Sequence, residues 1–316
     1  MYTYKIYNNI ADDGLDILTN NGMRIDEINP DSLIIRSQVL KDEDFNHSLK
    51  CIGRAGAGTN NVPVDMATEN GIVVFNTPGA NANAVKELVV CGMLLSSRGI
   101  IQGNTYAKTL AGQDSVSLNA SMESQKKNFK GNELKGKTLG IVGLGAIGSL
   151  LAQTAEVMGM KIIGFDPHIS VDAAWRLPKE VERAESMEYL LANSDYISLH
   201  VPLIDATKNL ICSDTVKFIK KGAKLINLSR GGIVNNEDII DALNAGHISK
   251  FVTDFPTPEL IESSANLHDV ILLTHIGAST NEAVVNCAVI AADQVNNFLK
   301  NRVIINSVNF QRIKLG

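Results

Sequence analysis

A glycine-rich run, Gly140-Ile-Val-Gly-Leu-Gly-Ala-Ile-Gly148, carries the spacing Gly-x-Gly-x-x-Gly at Gly143, Gly145 and Gly148. That spacing alone is a weak signal. Here Thr138–Val142 before it reads as a strand, and Ser149-Leu-Leu-Ala-Gln-Thr-Ala-Glu after it opens a helix. In such a setting Gly143 permits a tight turn, Gly145 admits a pyrophosphate close to the backbone, and Gly148 lets the helix pack near the sheet. The phosphates then face unpaired N–H groups at the positive end of that helix. A second strand, Met160-Lys-Ile-Ile-Gly-Phe, ends at Asp166, 18 residues after Gly148. A carboxylate there accepts ribose hydroxyls and repels a 2′-phosphate, so NAD is the expected cofactor rather than NADP. The plainer reading is a structural turn beside a surface Asp, and the agreeing context favours the nucleotide.

Hydride chemistry on a nicotinamide also needs a proton carrier and an anchor for the substrate. Arg230 directly follows the strand Leu225–Leu228, in Ser229-Arg-Gly-Gly232. Its planar, permanently charged fork between small residues suits a carboxylate, with a surface salt bridge as the bland alternative. His275 ends the run Val270–Leu273 and is followed by Ile-Gly-Ala-Ser. An imidazole exchanges protons near neutral pH, as alcohol-to-ketone interconversion requires. His200, at another strand end, has a proline two residues on and no nearby acid, which favours a cofactor-lining or core role. His47, His168, His247 and His268 fall in loop or helix contexts and read as solvated. Asp254 and Glu259 share the proline-stiffened loop Asp254-Phe-Pro-Thr-Pro-Glu259. Either a carboxylate there supports the imidazolium, or these acids only cap the following turn.

These groups need elements that bring strand ends together. Short, nearly apolar runs recur at Lys50–Arg54, Thr138–Gly143, Lys161–Asp166, Tyr196–His200, Lys224–Ser229 and Val270–His275, with helix-length segments between them. Runs with so little alternation suit parallel strands covered on both faces, giving a doubly wound α/β fold. Two series are present. The first has strands near Tyr4–Tyr7, Ser32–Ile35, Lys50–Ile52 and Gly71–Phe75, and the second runs from Thr138 to His275. Between them Arg98–Gly136 is polar and weakly periodic, a linker or protruding arm. Thr207–Lys221 and Asn236–Ala245 read as amphipathic helices, the second stopped by Gly246. Asn281–Leu299 is a further helix capped at Thr280 or Asn281.

Composition narrows the function classes. The 316 residues are 45% hydrophobic and 20% charged, enough for two packed domains. A net charge of −5 argues against general nucleic-acid binding, which draws on many cationic phosphate contacts. The longest near-apolar stretch, Leu139–Ala152, is too short to span a bilayer, and the N-terminus lacks a signal-peptide pattern. Cys51, Cys91, Cys212 and Cys287 lie too far apart in sequence for a redox pair or zinc knuckle, so no metal is expected. The expectation is a soluble, cytoplasmic protein.

The sequence resembles the D-isomer-specific 2-hydroxyacid dehydrogenases, nearest to the branch acting on phosphoglycerate. The segments that carry the likeness are Gly53-Arg-Ala-Gly-Ala-Gly-Thr-Asn-Asn-Val62, Asn76-Thr-Pro-Gly79, Glu87-Leu-Val89 and Gly136–Gly148. It continues through Gly164-Phe-Asp-Pro167, Ser229-Arg-Gly-Gly-Ile-Val234 and His275-Ile-Gly-Ala-Ser-Thr280. The resemblance implies an NAD domain inserted into a split substrate domain, two Rossmann-like parallel-sheet domains with divisions at 1–98 plus 284–316 and 99–283. It implies a catalytic set of Arg230, Glu259 and His275, in which His275 takes the C2 hydroxyl proton, Glu259 supports the imidazolium and Arg230 clamps the carboxylate. By the same matching Asp254 meets the nicotinamide amide, Leu228 and Ser229 its ribose, and Ala57, Ala146, Ile147, Val201, Gly277 and Ala278 line the cofactor.

Arg36 and Ser37, with Arg54, Ala55 and Gly56, match segments that line the pocket for a phosphorylated 2-hydroxy acid. Guanidinium suits phosphate through paired, charge-assisted hydrogen bonds. The alternatives are another substrate of the same family (hydroxypyruvate, glycerate or lactate) or a corepressor-like NAD sensor that does no chemistry. The resemblance further implies a homodimer with Arg98–Gly136 in the contact. The chain ends at Gly316 without the serine-sensing C-terminal module some members carry, so serine feedback by that route is not expected. Two departures stand out: Thr274 precedes His275 where Pro is usual, and Asp-Phe-Pro-Thr-Pro-Glu replaces the commoner Asp-Val-Phe-x-x-Glu-Pro.

Overall fold

Apolar runs without alternation require cover on both sheet faces, and the computed structural model, which describes residues 1–264 and 269–313, gives them two all-parallel sheets. The chain divides into two compact units, Met1–Ala84 with Ala278–Gly316, and Val85–Gly277. The sequence reading set the divisions at 98/99 and 283/284. The first falls later than the structural one because the helix Ala82–Ser97 runs unbroken past Val85.

The first unit holds β1 (Thr3–Tyr7), β2 (Arg24–Ile25), β3 (Ser32–Ile35), β4 (Cys51–Arg54) and β5 (Val73–Phe75), in the order β2-β1-β3-β4-β5. β2 is an addition to the expected series; two exposed residues give no periodicity to read. The helix Asn281–Asn301 buries Cys287, Ala288, Ala291, Ala292 and Val295 in one core with Tyr4, Ile34 and Phe75. Thr280 caps it, its hydroxyl accepting the Ala283 N–H at 3.1 Å.

The second unit holds β6 (Thr138–Val142), β7 (Lys161–Phe165), β8 (Val181–Arg183), β9 (Tyr196–Leu199), β10 (Ala223–Asn227), β11 (Ile248–Thr253) and β12 (Val270–Leu272). Their order, β12-β11-β10-β9-β6-β7-β8, reverses direction between β6 and β9. Ligands of such sheets bind outside the carboxyl ends of strands at that reversal. The register aligns those ends: Phe165 pairs with Val142, Val142 with Leu199, Leu199 with Asn227, Asn227 with Thr253 and Thr253 with Leu272. Asp166, Gly143, His200, Leu228 and Asp254 each come one residue past this row.

One expectation needs correction. Thr207–Lys221 is not one helix; only Ser213–Val216 is helical. Asn209 takes a left-handed φ of 50°, Ile211 bridges to Val234, and the Thr215 hydroxyl accepts the Cys212 N–H, restarting the helix there. The Arg98–Gly136 stretch contains helices Ile100–Thr109 and Ser115–Gln125, neither with a buried residue. The predicted helix at Asn236 ends at Asn244, with Gly246 at φ 62° just beyond it. Among the described residues no helix is long and apolar enough to cross a membrane.

Candidate active site

The glycine turn after β6 is sterically specified. Gly143 has φ 91°, and a Cβ there would lie 2.7 Å from the His200 carbonyl oxygen. A Cβ on Gly148 would come within 2.1 Å of the Gly143 carbonyl oxygen. Gly145 precedes the helix Ala146–Val157, and a Cβ on it would meet no protein atom within 4 Å. The turn is closed to side chains behind and open in front, where Gly145 and Ala146 are exposed and Ile147 is half-buried. First-turn N–H groups there have no helical partner and suit an anion. Gly148→Ala is expected to cost about 1–3 kcal/mol of stability and to weaken dinucleotide binding. Thermal unfolding with and without NADH checks both.

Asp166 does double work. Its two carboxylate oxygens accept the Leu144 N–H at 2.9 Å and the His168 N–H at 3.0 Å, tying the glycine turn to the end of β7. It also lines a cavity of about 450 Å³ with Leu144, Ile169, Leu177, Val181 and Arg183, apolar walls with charge of both signs.

Three adjacent strand tips, those of β10, β11 and β12, carry the candidate residues Arg230, Asp254 and His275. Asn227, buried at the end of β10, holds the first loop by donating to the Arg230 carbonyl at 2.8 Å and accepting the Ser229 N–H at 3.2 Å. Arg230 is half-buried, its Nη1 donating to the Ser229 carbonyl at 2.7 Å. The Ser229 hydroxyl donates to the Val201 carbonyl at 2.7 Å, and Leu228 is buried beside it. Asp254, 1% exposed, holds the third loop: its carbonyl accepts the His275 N–H at 3.0 Å and its Oδ2 the Gly277 N–H at 3.1 Å. Burial pushes its carboxyl up, while the Gly277 N–H and the positive charges of His275 and Arg230 pull it back. Its Oδ1 is buried without a partner. An unmade bond at a buried carboxylate is expensive, so this oxygen calls for a donor from a ligand, as an amide NH₂ would supply.

His275 is exposed in a left-handed turn at φ 53°, its ring 4.9 Å from that of Phe255. Both line a second cavity of about 450 Å³ with Gly231, Gly232, Asn236 and Asp254. The positive charges of both Arg230 and His275 reach Asp254. Glu259 is not among the residues that line this cavity. It is exposed in the first turn of the helix Pro258–Ser264, where its own backbone N–H and the Thr257 hydroxyl hold its carboxyl below the usual range. No hydrogen bond or ion pair joins it to His275 among the described residues, and it lines a different cavity with Asn209 and Asn235.

His200 keeps its lesser role. Its Nε2 lies 2.9 Å from the Ser198 hydroxyl, its Nδ1 is buried without a partner, and burial pushes it down to about 4. His47 and His168 are exposed, whereas His247 is half-buried with Nε2 3.0 Å from the Val216 carbonyl. His268 lies outside the described residues.

In the first unit, Ile35 pairs with Arg54, so Arg36 and Arg54 stand on adjacent strand tips. Both are half-buried, and β3 flanks that sheet's own order reversal. Ser37 donates its N–H to Asn8 Oδ1 at 2.9 Å. Ala55 donates its N–H to the Ile35 carbonyl at 2.8 Å, and Gly56, at φ 149°, leaves room for the Arg54 guanidinium where a Cβ would sit. Ala57 accepts the Asn76 side chain at 2.6 Å. Ala278 opens this unit's second segment. Two residues escaped the sequence reading: Asn227, an amide inside a strand, and Phe255, whose only signal was the aromatic ring next to Asp254.

Residues 92–277 match the family model described as D-isomer specific 2-hydroxyacid dehydrogenase, NAD binding domain. The chain is 36% identical over 294 residues to a D-3-phosphoglycerate dehydrogenase of Methanocaldococcus jannaschii, covering 90% of this chain and 53% of that one. A D-3-phosphoglycerate dehydrogenase of Bacillus subtilis is 35% identical over 284 residues, 88% of this chain and 51% of its own. A hydroxypyruvate reductase of Thermotoga maritima is 37% identical over 261 residues, 80% of this chain and 79% of its own. The chain therefore spans about half the length of the phosphoglycerate dehydrogenases it matches. The structure of NAD⁺-bound 3-phosphoglycerate dehydrogenase from Entamoeba histolytica superposes with a TM-score of 0.77 at 26% identity, over 98% of both chains.

Proposed function

The chain belongs to the D-isomer-specific 2-hydroxyacid dehydrogenase family, and from that premise we propose that it interconverts a small D-2-hydroxy acid and its 2-oxo acid with NAD. The observation that carries this reading is the buried, unpartnered Oδ1 of Asp254, set between the loops of Arg230 and His275. NAD, when bound, accepts the hydride at its nicotinamide C4. The glycine turn at Gly143, Gly145 and Gly148 would hold its phosphates, Asp166 its adenosine ribose, and Asp254 its carboxamide. Arg230 holds the substrate carboxylate in a two-pronged ion pair, fixing which face of C2 is presented. His275 takes the C2 hydroxyl proton as hydride leaves C2, and returns it in the reverse direction.

For the substrate, the reading is D-3-phosphoglycerate, oxidised to 3-phosphohydroxypyruvate as in serine synthesis. Its support is the pair Arg36 and Arg54 on adjacent strand tips, together with the likeness to named phosphoglycerate dehydrogenases. The relative of which this chain covers 79% is named a hydroxypyruvate reductase, which favours an unphosphorylated acid as the second reading. NADH oxidation with 3-phosphohydroxypyruvate, hydroxypyruvate, glyoxylate and pyruvate decides between them. On the phosphoglycerate reading, Arg54→Ala raises KM for the phosphorylated acid alone, by about 2–5 kcal/mol in binding. Equal rates on hydroxypyruvate in the parent protein would remove that reading. Ile100, Ile101, Val116 and Met122, all exposed on the two helices between 100 and 125, support a homodimer contact there. The cysteines are all free, which supports a reducing, cytoplasmic setting.

A further inference from the structure

Past the end of β3 the sheet ladder stops, so the backbone groups of Arg36, Ser37 and Gln38 need partners from elsewhere. Two carboxamides supply them. Asn8 Oδ1 accepts the N–H groups of Ser37 at 2.9 Å and Gln38 at 2.6 Å. Asn61 Nδ2 donates to the carbonyls of Arg36 at 3.2 Å and Gln38 at 2.7 Å, and its own carbonyl accepts the Leu40 N–H at 3.0 Å. Asn8 directly follows β1, and Asn61 lies between β4 and the helix Val64–Glu69, so the loop after β3 is gripped from both neighbouring strands. β1 and β3 are also the pair at which this sheet's order reverses, and Asn8 spans their tips.

We propose that Asn8 and Asn61 are positioning residues for the substrate's anionic group, a clasp that holds the Arg36 loop in place without engaging its guanidinium. The inference rests on the reading of Arg36 as an anchor for the phosphorylated acid. The two side chains do opposite work. Asn8 accepts, and it sits at φ 69°, a left-handed conformation that asparagine and aspartate tolerate better than other residues with a Cβ. Asn61 donates to two carbonyls, which an ionised aspartate of the same shape cannot do. Neither group carries a charge, so neither pairs with the neighbouring guanidinium. Among the described residues Arg36 enters no salt bridge. A charged clasp would compete with an anionic substrate for that arginine or oppose it. Asn8 is exposed and Asn61 half-buried, so changing either leaves the core intact.

The clasp is tested by amide hydrogen exchange at Ser37 and Gln38 in the free protein. Asn8→Gly keeps the left-handed turn but loses the acceptor, so exchange there speeds up about tenfold. Asn8→Asp keeps both and exchanges like the parent. At position 61 the order inverts, and Asn61→Asp exchanges at least as fast as Asn61→Ala. A loosened loop presents Arg36 for a smaller fraction of the time. Asn61→Ala therefore raises KM for 3-phosphohydroxypyruvate about fivefold with kcat little changed. Because it acts through Arg36, the same change adds nothing in an Arg36→Ala background. Exchange unmoved in both Asn8→Gly and Asn61→Asp overturns the proposal and leaves the reading of Arg36 standing. An equal rise in KM from Asn61→Ala in both backgrounds also overturns it. A parent that does not use the phosphorylated acid, or a KM unmoved by Arg36→Ala, removes Arg36 from the pocket and the positioning role with it, whatever the exchange shows.

Discussion

His275→Asn is expected to lower kcat by a factor of about 10²–10⁴, the usual contribution of a positioned general acid–base, while NADH still binds. Asparagine is a better probe here than alanine. His275 sits at φ 53°, a left-handed conformation that asparagine tolerates and alanine resists. The backbone bond to the Asp254 carbonyl, 3.0 Å long, is then kept, and with it the turn that places Gly277 on the Asp254 carboxylate. Only the exchangeable proton is lost. Steady-state rates with the preferred 2-oxo acid, beside NADH fluorescence titration, separate the two effects. An unchanged kcat would show that another group carries the proton. A parent protein that binds NADH yet turns over no 2-oxo acid would point instead to the sensor reading.

The strands were legible because parallel sheets buried on both faces leave nearly uninterrupted apolar runs, and the short length and flanking glycines of Thr138–Val142 and Leu225–Leu228 favour strand over buried helix. Arg230, Asp254 and His275 could be singled out for a related reason: each lies within three residues of a strand's end, so their types and places were both visible. The register then turned sequence position into spatial proximity, since Asn227, Thr253 and Leu272 lie level across three strands. Glu259 was harder, because it lies five residues past Asp254 with two prolines between, and a loop's direction depends on torsions no periodicity encodes. Its destination was set by Pro258, which starts a helix and so places Glu259 in the first turn. Phe255 was passed over because an apolar residue near an acid usually signals packing. Thr207–Lys221 misled for a different reason: its apolar spacing imitates a helix, but Ile211 is committed to a bridge with Val234.

Arg230→Gln is expected to lower kcat/KM by about 2–5 kcal/mol in transition-state binding, the loss found when one partner of a close charge pair is removed. Among the described residues that line the cavity beside this loop, Asn236, Thr257 and His275 are polar, and none is a permanently charged, planar fork. Asn227 holds the backbone of the Arg230 loop through its carbonyl and the Ser229 N–H, so the loop keeps its course when the side chain changes. Arg230→Lys tells fork from charge. Lysine keeps a positive charge beside Asp254, preserving the influence that offsets burial of that carboxyl, but cannot grip a carboxylate with two parallel bonds. If orientation by the fork dominates, the lysine protein resembles the glutamine one in kcat/KM while retaining NADH affinity. If charge alone sufficed, lysine would recover most of the rate, and Arg230 would be a counter-ion rather than a clamp. Since a planar carboxylate must be turned so that C2 faces the hydride acceptor, we expect the first outcome.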